Sequence, residues 1–156
     1  MITAPTAIID GEAIAGTGAP ISVIDPATEE VIAGIPDAED TLVDRAVISA
    51  RAAFERGEWR NMSVAERQKI LRNCADAIDA AADEIADLEC ANTGIPYSQV
   101  RGRQVGRSAH NFRFFADSIG QMTAELYEPD PNFLTFVRRE PVAVAALISP
   151  WTAPLP

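Results

Sequence analysis

The sequence predicts an α/β fold, and three observations carry that prediction. Short β-branched runs joined by turn residues occupy positions 1–36, a helical period begins at Asp37, and an unbroken apolar run, Val142–Ile148, stands near the carboxyl end. They divide the chain into a β-hairpin segment (1–36), a helical region (37–120), and a loop, a linking strand and a parallel-type strand (121–156).

Ala7, Ile8 and Ile9 run into Asp10-Gly11, a dipeptide that favours a tight hairpin turn through positive φ. A second pair follows: Ile21–Ile24, the turn Asp25-Pro26-Ala27-Thr28, then Val31 and Ile32. Pro26 has no N–H to donate to a ladder, so it closes the first strand of that pair. From Asp37 the period changes. Leu42, Val43, Ala46, Val47, Ala50 and Phe54 recur at spacings of three and four, with Asp37 or Asp40 as amino cap and Gly57 as stop. Ser63 and Glu66 form a capping box, and the helix it opens has the apolar face Ile70, Leu71, Cys74, Ala77, Ile78 and Ala81. A further turn carries Ile85, Leu88 and Ala91, and Gly94 with Pro96 ends the run. The last helix, Ser98–Ile119, aligns Val105, Ala109, Phe112, Ala116 and Ile119.

Residues 120–132, rich in Glu, Asp and Pro, read as a loop, and Phe133–Arg139 alternates as a half-exposed strand. Val142–Ile148 reads as a strand covered on both faces, as at the centre of a parallel sheet. Such a strand needs neighbours, and the residues up to Pro156 are too few for a crossover helix. The sheet is expected to be unfinished.

The net charge of −10, from 23 acids and 13 bases, argues against nucleic acid and anionic membrane as partners. Arg101, Arg103 and Arg107 therefore read as a solvated or subunit-contacting face. Cys74 and Cys90 fall inside helical patterns as small apolar residues, there is no CxxC, and His110 has no neighbour at metal-ligand spacing, so no metal site is expected. Met1–Pro20 has neither a basic start nor a long apolar run, which points to a cytoplasmic protein.

No GxGxxG, phosphate loop or zinc pattern is present, and spacing alone reveals no catalytic constellation. The informative segment is Ile148-Ser149-Pro150-Trp151-Thr152-Ala153-Pro154-Leu155. A buried strand leaving into a Pro-Trp-x-x-Pro turn sets rigid backbone at a sheet's carboxyl edge, where open α/β sheets bind ligands. Trp151 there either packs on a ligand or plugs the edge of the domain.

Pro150-Trp151-Thr152-Ala153-Pro154 resembles the Pro-Trp-Asn-x-Pro motif of the aldehyde dehydrogenase superfamily. Asp25–Ile32 is similar to that family's "NPATGEVI" hairpin. Asp44-Arg45-Ala46-Val47, Ala50–Phe54 and Gly57-Glu58-Trp59 resemble its first helix and the turn beyond, and Glu66-Arg67 its second helix start. Leu88-Glu89 with Thr93–Pro96 resembles "LE…(D/N)TGKP", Arg113–Ala116 "FRYYAG" and Arg138–Val142 "RREPVG". The order and spacing of these pieces are more specific than any one of them.

The resemblance implies the amino-terminal portion of the aldehyde dehydrogenase fold: β-hairpins, a helical bundle and the start of a Rossmann-like parallel sheet, with the catalytic domain absent. It implies oxidation of an aldehyde to a carboxylic acid with NAD or NADP, through a cysteine thiohemiacetal and thioester. A small-molecule aldehyde is the implied substrate and a homo-oligomer the implied assembly. Ala153 in the motif points toward members acting on semialdehydes. Carried over position by position, Ile148, Ser149, Pro150, Trp151 and Thr152 would contact the cofactor, and Thr152 would occupy the place of the oxyanion-binding asparagine. The family's nucleophilic cysteine and its glutamate match no position here, so the chain alone is expected to be inactive. The alternative is a non-catalytic interaction or oligomerisation module of the same descent.

Overall fold

The computed structural model describes residues 2–3, 6–152 and 154–155. Five strands come first: β1 (Ile2–Thr3), β2 (Ala7–Ile9), β3 (Glu12–Ile14), β4 (Pro20–Ile24) and β5 (Val31–Pro36). β2 and β3 form the expected hairpin, and Asp10 (φ 55°) and Gly11 (φ 78°) take the two left-handed positions of its turn. β4 and β5 pair antiparallel, and β1 adds to β5 in parallel, with Ile2 opposite Ala33. In the intervening turn, Ala27 N–H donates to Asp25 Oδ1 at 2.7 Å, which holds Pro26 just past the strand.

The helices are α1 (Asp40–Arg56), α2 (Val64–Ala80), α3 (Ala82–Thr93), the single turn α4 (Tyr97–Gln99) and α5 (Val105–Ser118). A π-helical stretch, Val100–Gln104, joins α4 to α5, so the expected single helix is continuous but locally widened, with i→i+5 in place of i→i+4 hydrogen bonding. The amino cap of α1 differs from expectation. Glu39 occupies it without a side-chain hydrogen bond, and Asp40 is already in the first turn. Asp37 is engaged elsewhere: its N–H donates to Ala19 O at 3.1 Å, its C=O accepts from Gly18 N, and its Oδ1 accepts from Ala38 N.

The capping box at α2 forms as read. Ser63 Oγ accepts from Glu66 N at 3.3 Å, and Glu66 Oε2 accepts from Ser63 N at 2.7 Å. The hydrogen bonds from the Ser63 hydroxyl and N–H hold the Glu66 carboxyl below its usual range. A carboxylate with a depressed folded pKa contributes stability above its unfolded pKa, and that contribution disappears as pH falls through the folded value. Loss of the cap in Ser63→Ala is expected to cost about 1 kcal/mol at neutral pH, the ordinary contribution of an N-cap hydroxyl. The gap between wild type and variant should narrow in urea melts carried below about pH 4.

At the far end of α3, Gly94 adopts φ 72° and its N–H caps onto Cys90 O at 2.8 Å. A Cβ there would sit 2.8 Å from Pro26 Cγ. Gly94→Ala thus meets both left-handed strain and a clash with the β4–β5 turn. A loss of at least about 1 kcal/mol in a urea melt is the expected outcome.

The core is built from small residues. α2 packs along α5, where Ala75, Ala109 and Ala116 have no exposed surface, and Arg113 reaches from α5 to Asp76 and Asp79 at 2.7 Å each. A second cluster joins Ala82 and Ala86 of α3 to Val100 and Val105, with Ile78, Ile85, Cys90, Ile95 and Leu155 against it. Of the expected α2 face, Ile70, Leu71, Cys74, Ile78 and Ala81 are half-buried, while Ala77 is exposed. Among the described residues no helix is long and apolar enough to cross a membrane.

The last third departs most from expectation. The segment read as a loop contains a strand, β6 (Leu126–Asp130), paired antiparallel with β7 (Phe133–Phe136). The register shifts between Tyr127 and Asp130, and Pro129, which has no N–H, falls inside the shift. Asn132 N–H donates to Asp130 Oδ1 at 2.8 Å and closes the turn. Val142–Ile148 forms no strand: Val142 is 88% exposed, Leu147 94% and Ile148 96%. Among the described residues no strand lies beside it to accept its hydrogen bonds, and Ala143 at φ 81° interrupts any extended run.

Candidate functional site

α3 and α5 together seat the Pro150–Pro154 motif. The Trp151 indole N–H donates to Asn92 Oδ1 at 3.2 Å, and Asn92 lies in the last turn of α3, two residues before its Gly94 cap. A few residues on, Ser108 Oγ of α5 donates to Leu155 O at 2.8 Å, and Leu155 packs against the Ala82–Val105 cluster. Two polar side chains from different helices thus hold the segment at both ends. The left-handed turn at Gly94 stops α3 so that Asn92 stands at its end, which is why a short terminal amide reaches the indole.

Asn92, Ser149, Pro150, Trp151 and Pro154 line an open cleft of about 320 Å³. Of the five positions read as cofactor-facing, Ser149, Pro150 and Trp151 line this cleft, while Ile148 and Thr152 lie exposed beside it. Ala153, the variable position of the motif, lies outside the described residues. Trp151 is 58% exposed, so its ring offers a face rather than filling a core. Asn92 and Ser108 were missed by sequence reading. Asn92 directly precedes the Thr-Gly-x-Pro run that was recognised, and an amide in the last turn of a helix was the available signal.

The lining can be tested against a nicotinamide dinucleotide. An indole face, two proline rings and short polar groups suit a flat aromatic ring and a ribose. A pyrophosphate instead needs cations or a helix amino terminus, and the cleft lining has neither. The residues present fit one end of that cofactor.

Neither cysteine belongs to the cleft. Both are half-buried in helices, and burial, aided by the charges of Asp87 and Glu89, pushes the Cys90 thiol above its usual range. A raised pKa lowers the thiolate fraction and makes Cys90 a poor nucleophile.

A short helical bundle thus holds a Pro-Trp-x-x-Pro turn beside an open cleft. The chain belongs to the aldehyde dehydrogenase family, whose model matches residues 14–156. It is 36% identical over 146 residues to 5-carboxymethyl-2-hydroxymuconate semialdehyde dehydrogenase of Escherichia coli, covering 94% of this chain and 31% of that protein. It is 40% identical over 136 residues to 2-hydroxymuconic semialdehyde dehydrogenase of Pseudomonas sp. strain CF600, covering 85% and 28%. The crystal structure of an indole-3-acetaldehyde dehydrogenase in apo form superposes with a TM-score of 0.90 at 30% identity, covering 99% of this chain and 36% of that one. An NAD+ complex of an aldehyde dehydrogenase from Bacillus cereus gives 0.81 at 32% identity, covering 86% and 28%. The chain therefore has the amino-terminal architecture of the aldehyde dehydrogenase fold, and it spans about a third of the length of the curated relatives it matches.

Proposed function

We propose that these residues supply the nicotinamide–ribose edge and the oxyanion corner of an NAD- or NADP-dependent oxidation of an aldehyde to a carboxylic acid. The observation that carries this reading is the cleft itself: Trp151 is fixed by Asn92 between Pro150 and Pro154, with Ser149 alongside. A bound nicotinamide accepts a hydride. The protein's part is to present a rigid ring and backbone against the ribose side, so that little ordering remains to be done when the cofactor arrives. The names of two relatives, both semialdehyde dehydrogenases, support a semialdehyde as substrate.

Thr152 stands beside this edge, exposed, at the position where the family motif carries asparagine. It is proposed as the oxyanion donor. A hydroxyl donates one hydrogen bond but reaches less far than an amide on a longer side chain. The apolar β6–β7 hairpin, with Phe133, Leu134 and Phe136 all more than 60% exposed, supports a homo-oligomer as the working assembly.

A chimera tests the proposal. Residues 1–156 would replace the matching segment of the Escherichia coli relative. The chimera is expected to reduce NAD or NADP with a semialdehyde. Trp151→Ala in it should raise the KM for cofactor roughly tenfold, in line with the loss of about 1.4 kcal/mol of contact. A folded chimera whose cofactor KM ignores Trp151 would remove the proposed edge.

A further inference from the structure

A second cleft, of about 710 Å³, shares no residue with the first. It is lined by Ala53 and Phe54 of α1, by Trp59, Arg60 and Arg67 around the start of α2, and by Arg138, Arg139, Glu140 and Pro141. Four arginines and a single carboxylate meet there in a chain that carries 23 acids and 13 bases. Among the described residues, Arg60, Arg67 and Arg139 have no carboxylate within ion-pair distance, while Arg138 makes only an exposed pair with Glu140 at 3.4 Å. Elsewhere Arg45, Arg51, Arg72, Arg101 and Arg113 find acidic partners, whereas Arg56, Arg103 and Arg107 also make no ion pair among the described residues but do not line this cleft. An acidic protein that leaves three guanidiniums unpaired in one concavity has concentrated positive potential there.

These guanidiniums are also held in place. Arg60 lies over the Phe54 ring at 4.9 Å from its centroid, and Arg67 over the Trp59 ring at 5.8 Å. Arg67 Nη2 donates to Arg60 O at 3.1 Å, whereas its buried Nε has no partner. Stacking on a ring restrains a guanidinium while leaving the donors in its own plane usable, and planar forks match the oxygens of phosphate and carboxylate. A buried N–H without an acceptor is costly, and an incoming oxyanion relieves that cost.

We propose that this cleft binds a small organic anion of two or more negative charges, a phosphate ester or a polycarboxylate, through Arg60, Arg67 and Arg139. Phe54, Trp59 and Pro141 supply an apolar wall for its carbon part. The single negative charge of Glu140 leaves the lining with a formal excess of positive charge, which favours a multiply charged ligand over a monoanion.

The chain has two tryptophans, so Trp151→Phe leaves Trp59, under the Arg67 guanidinium, as the sole indole reporter. Inorganic pyrophosphate and citrate are titrated separately into this variant while its fluorescence is followed, with sodium chloride at matched ionic strength as the reference. At least one is expected to give a saturable change that chloride does not reproduce, and which one saturates separates the phosphate from the carboxylate source. Arg60→Gln and Arg139→Gln should each weaken that binding at least tenfold. Arg139 lies outside every helix, so its variant decides the matter if Arg60→Gln loses its far-UV circular dichroism. Absence of a saturable change with both anions, or binding unaltered by Arg139→Gln in a folded protein, would overturn the assignment.

Discussion

Purified Met1–Pro156 is expected to show no cofactor-dependent oxidation of any aldehyde, at protein concentrations that would reveal a turnover far below one per second. The chemistry of its family requires a thiolate, and both thiols available here stand half-buried inside α2 and α3, away from the Trp151 cleft lining. The raised pKa of Cys90 keeps it protonated at neutral pH. The cleft also lacks any cation or helix amino terminus to hold a pyrophosphate, so weak cofactor binding is expected alongside. Absorbance of the reduced nicotinamide, followed with a panel of semialdehydes, measures this directly. Turnover that persists in a Cys74→Ser, Cys90→Ser double variant would show that an undetected site or a contaminant is at work. Turnover that vanishes in the double variant would contradict the core assignment of the cysteines.

The second large effect belongs to Thr152. In the chimera described above, Thr152→Asn is expected to raise kcat by up to about 10²–10³, the span measured for a single oxyanion donor. KM for the aldehyde should barely change, because the donor meets charge that develops only in the transition state. Thr152→Val asks the complementary question. If the hydroxyl already donates, removing it should lower kcat by a comparable factor. If neither substitution moves kcat while chemistry limits the rate, Thr152 only shapes the turn and the oxyanion assignment fails.

Legibility in the sequence followed the range of the interactions involved. The β2–β3 turn, the Ser63–Glu66 box and the Gly94 stop are each set by a few neighbouring residues, and all three appeared where the sequence placed them. The α1 cap was misjudged because Asp37 answers to Gly18 and Ala19, about twenty residues away in sequence. β6 was missed because its composition, Leu-Tyr-Glu-Pro-Asp, disfavours a strand, and pairing with β7 overrides that preference. The apolar run Val142–Ile148 shows the reverse error. Its residues suit a central strand, but a strand is a property of pairs, and no partner strand stands beside it among the described residues. At the site, the Pro150–Pro154 motif was legible as a unit, whereas its anchoring by Asn92 and Ser108 was not. Those contacts join positions 59 and 47 residues apart, and no local pattern announces them.

In the proposed arrangement the Trp151 edge faces the nicotinamide half of the cofactor. A chimera labelled with 5-fluorotryptophan, in which Trp151→Phe identifies the resonance of position 151, measures this by fluorine NMR. Titration with NAD is expected to shift the Trp151 resonance with the same saturation as calorimetric binding, and adenosine diphosphate, which lacks the nicotinamide, should leave it in place. Tight NAD binding with an unmoved Trp151 resonance, or an equal shift with adenosine diphosphate, would contradict the assignment.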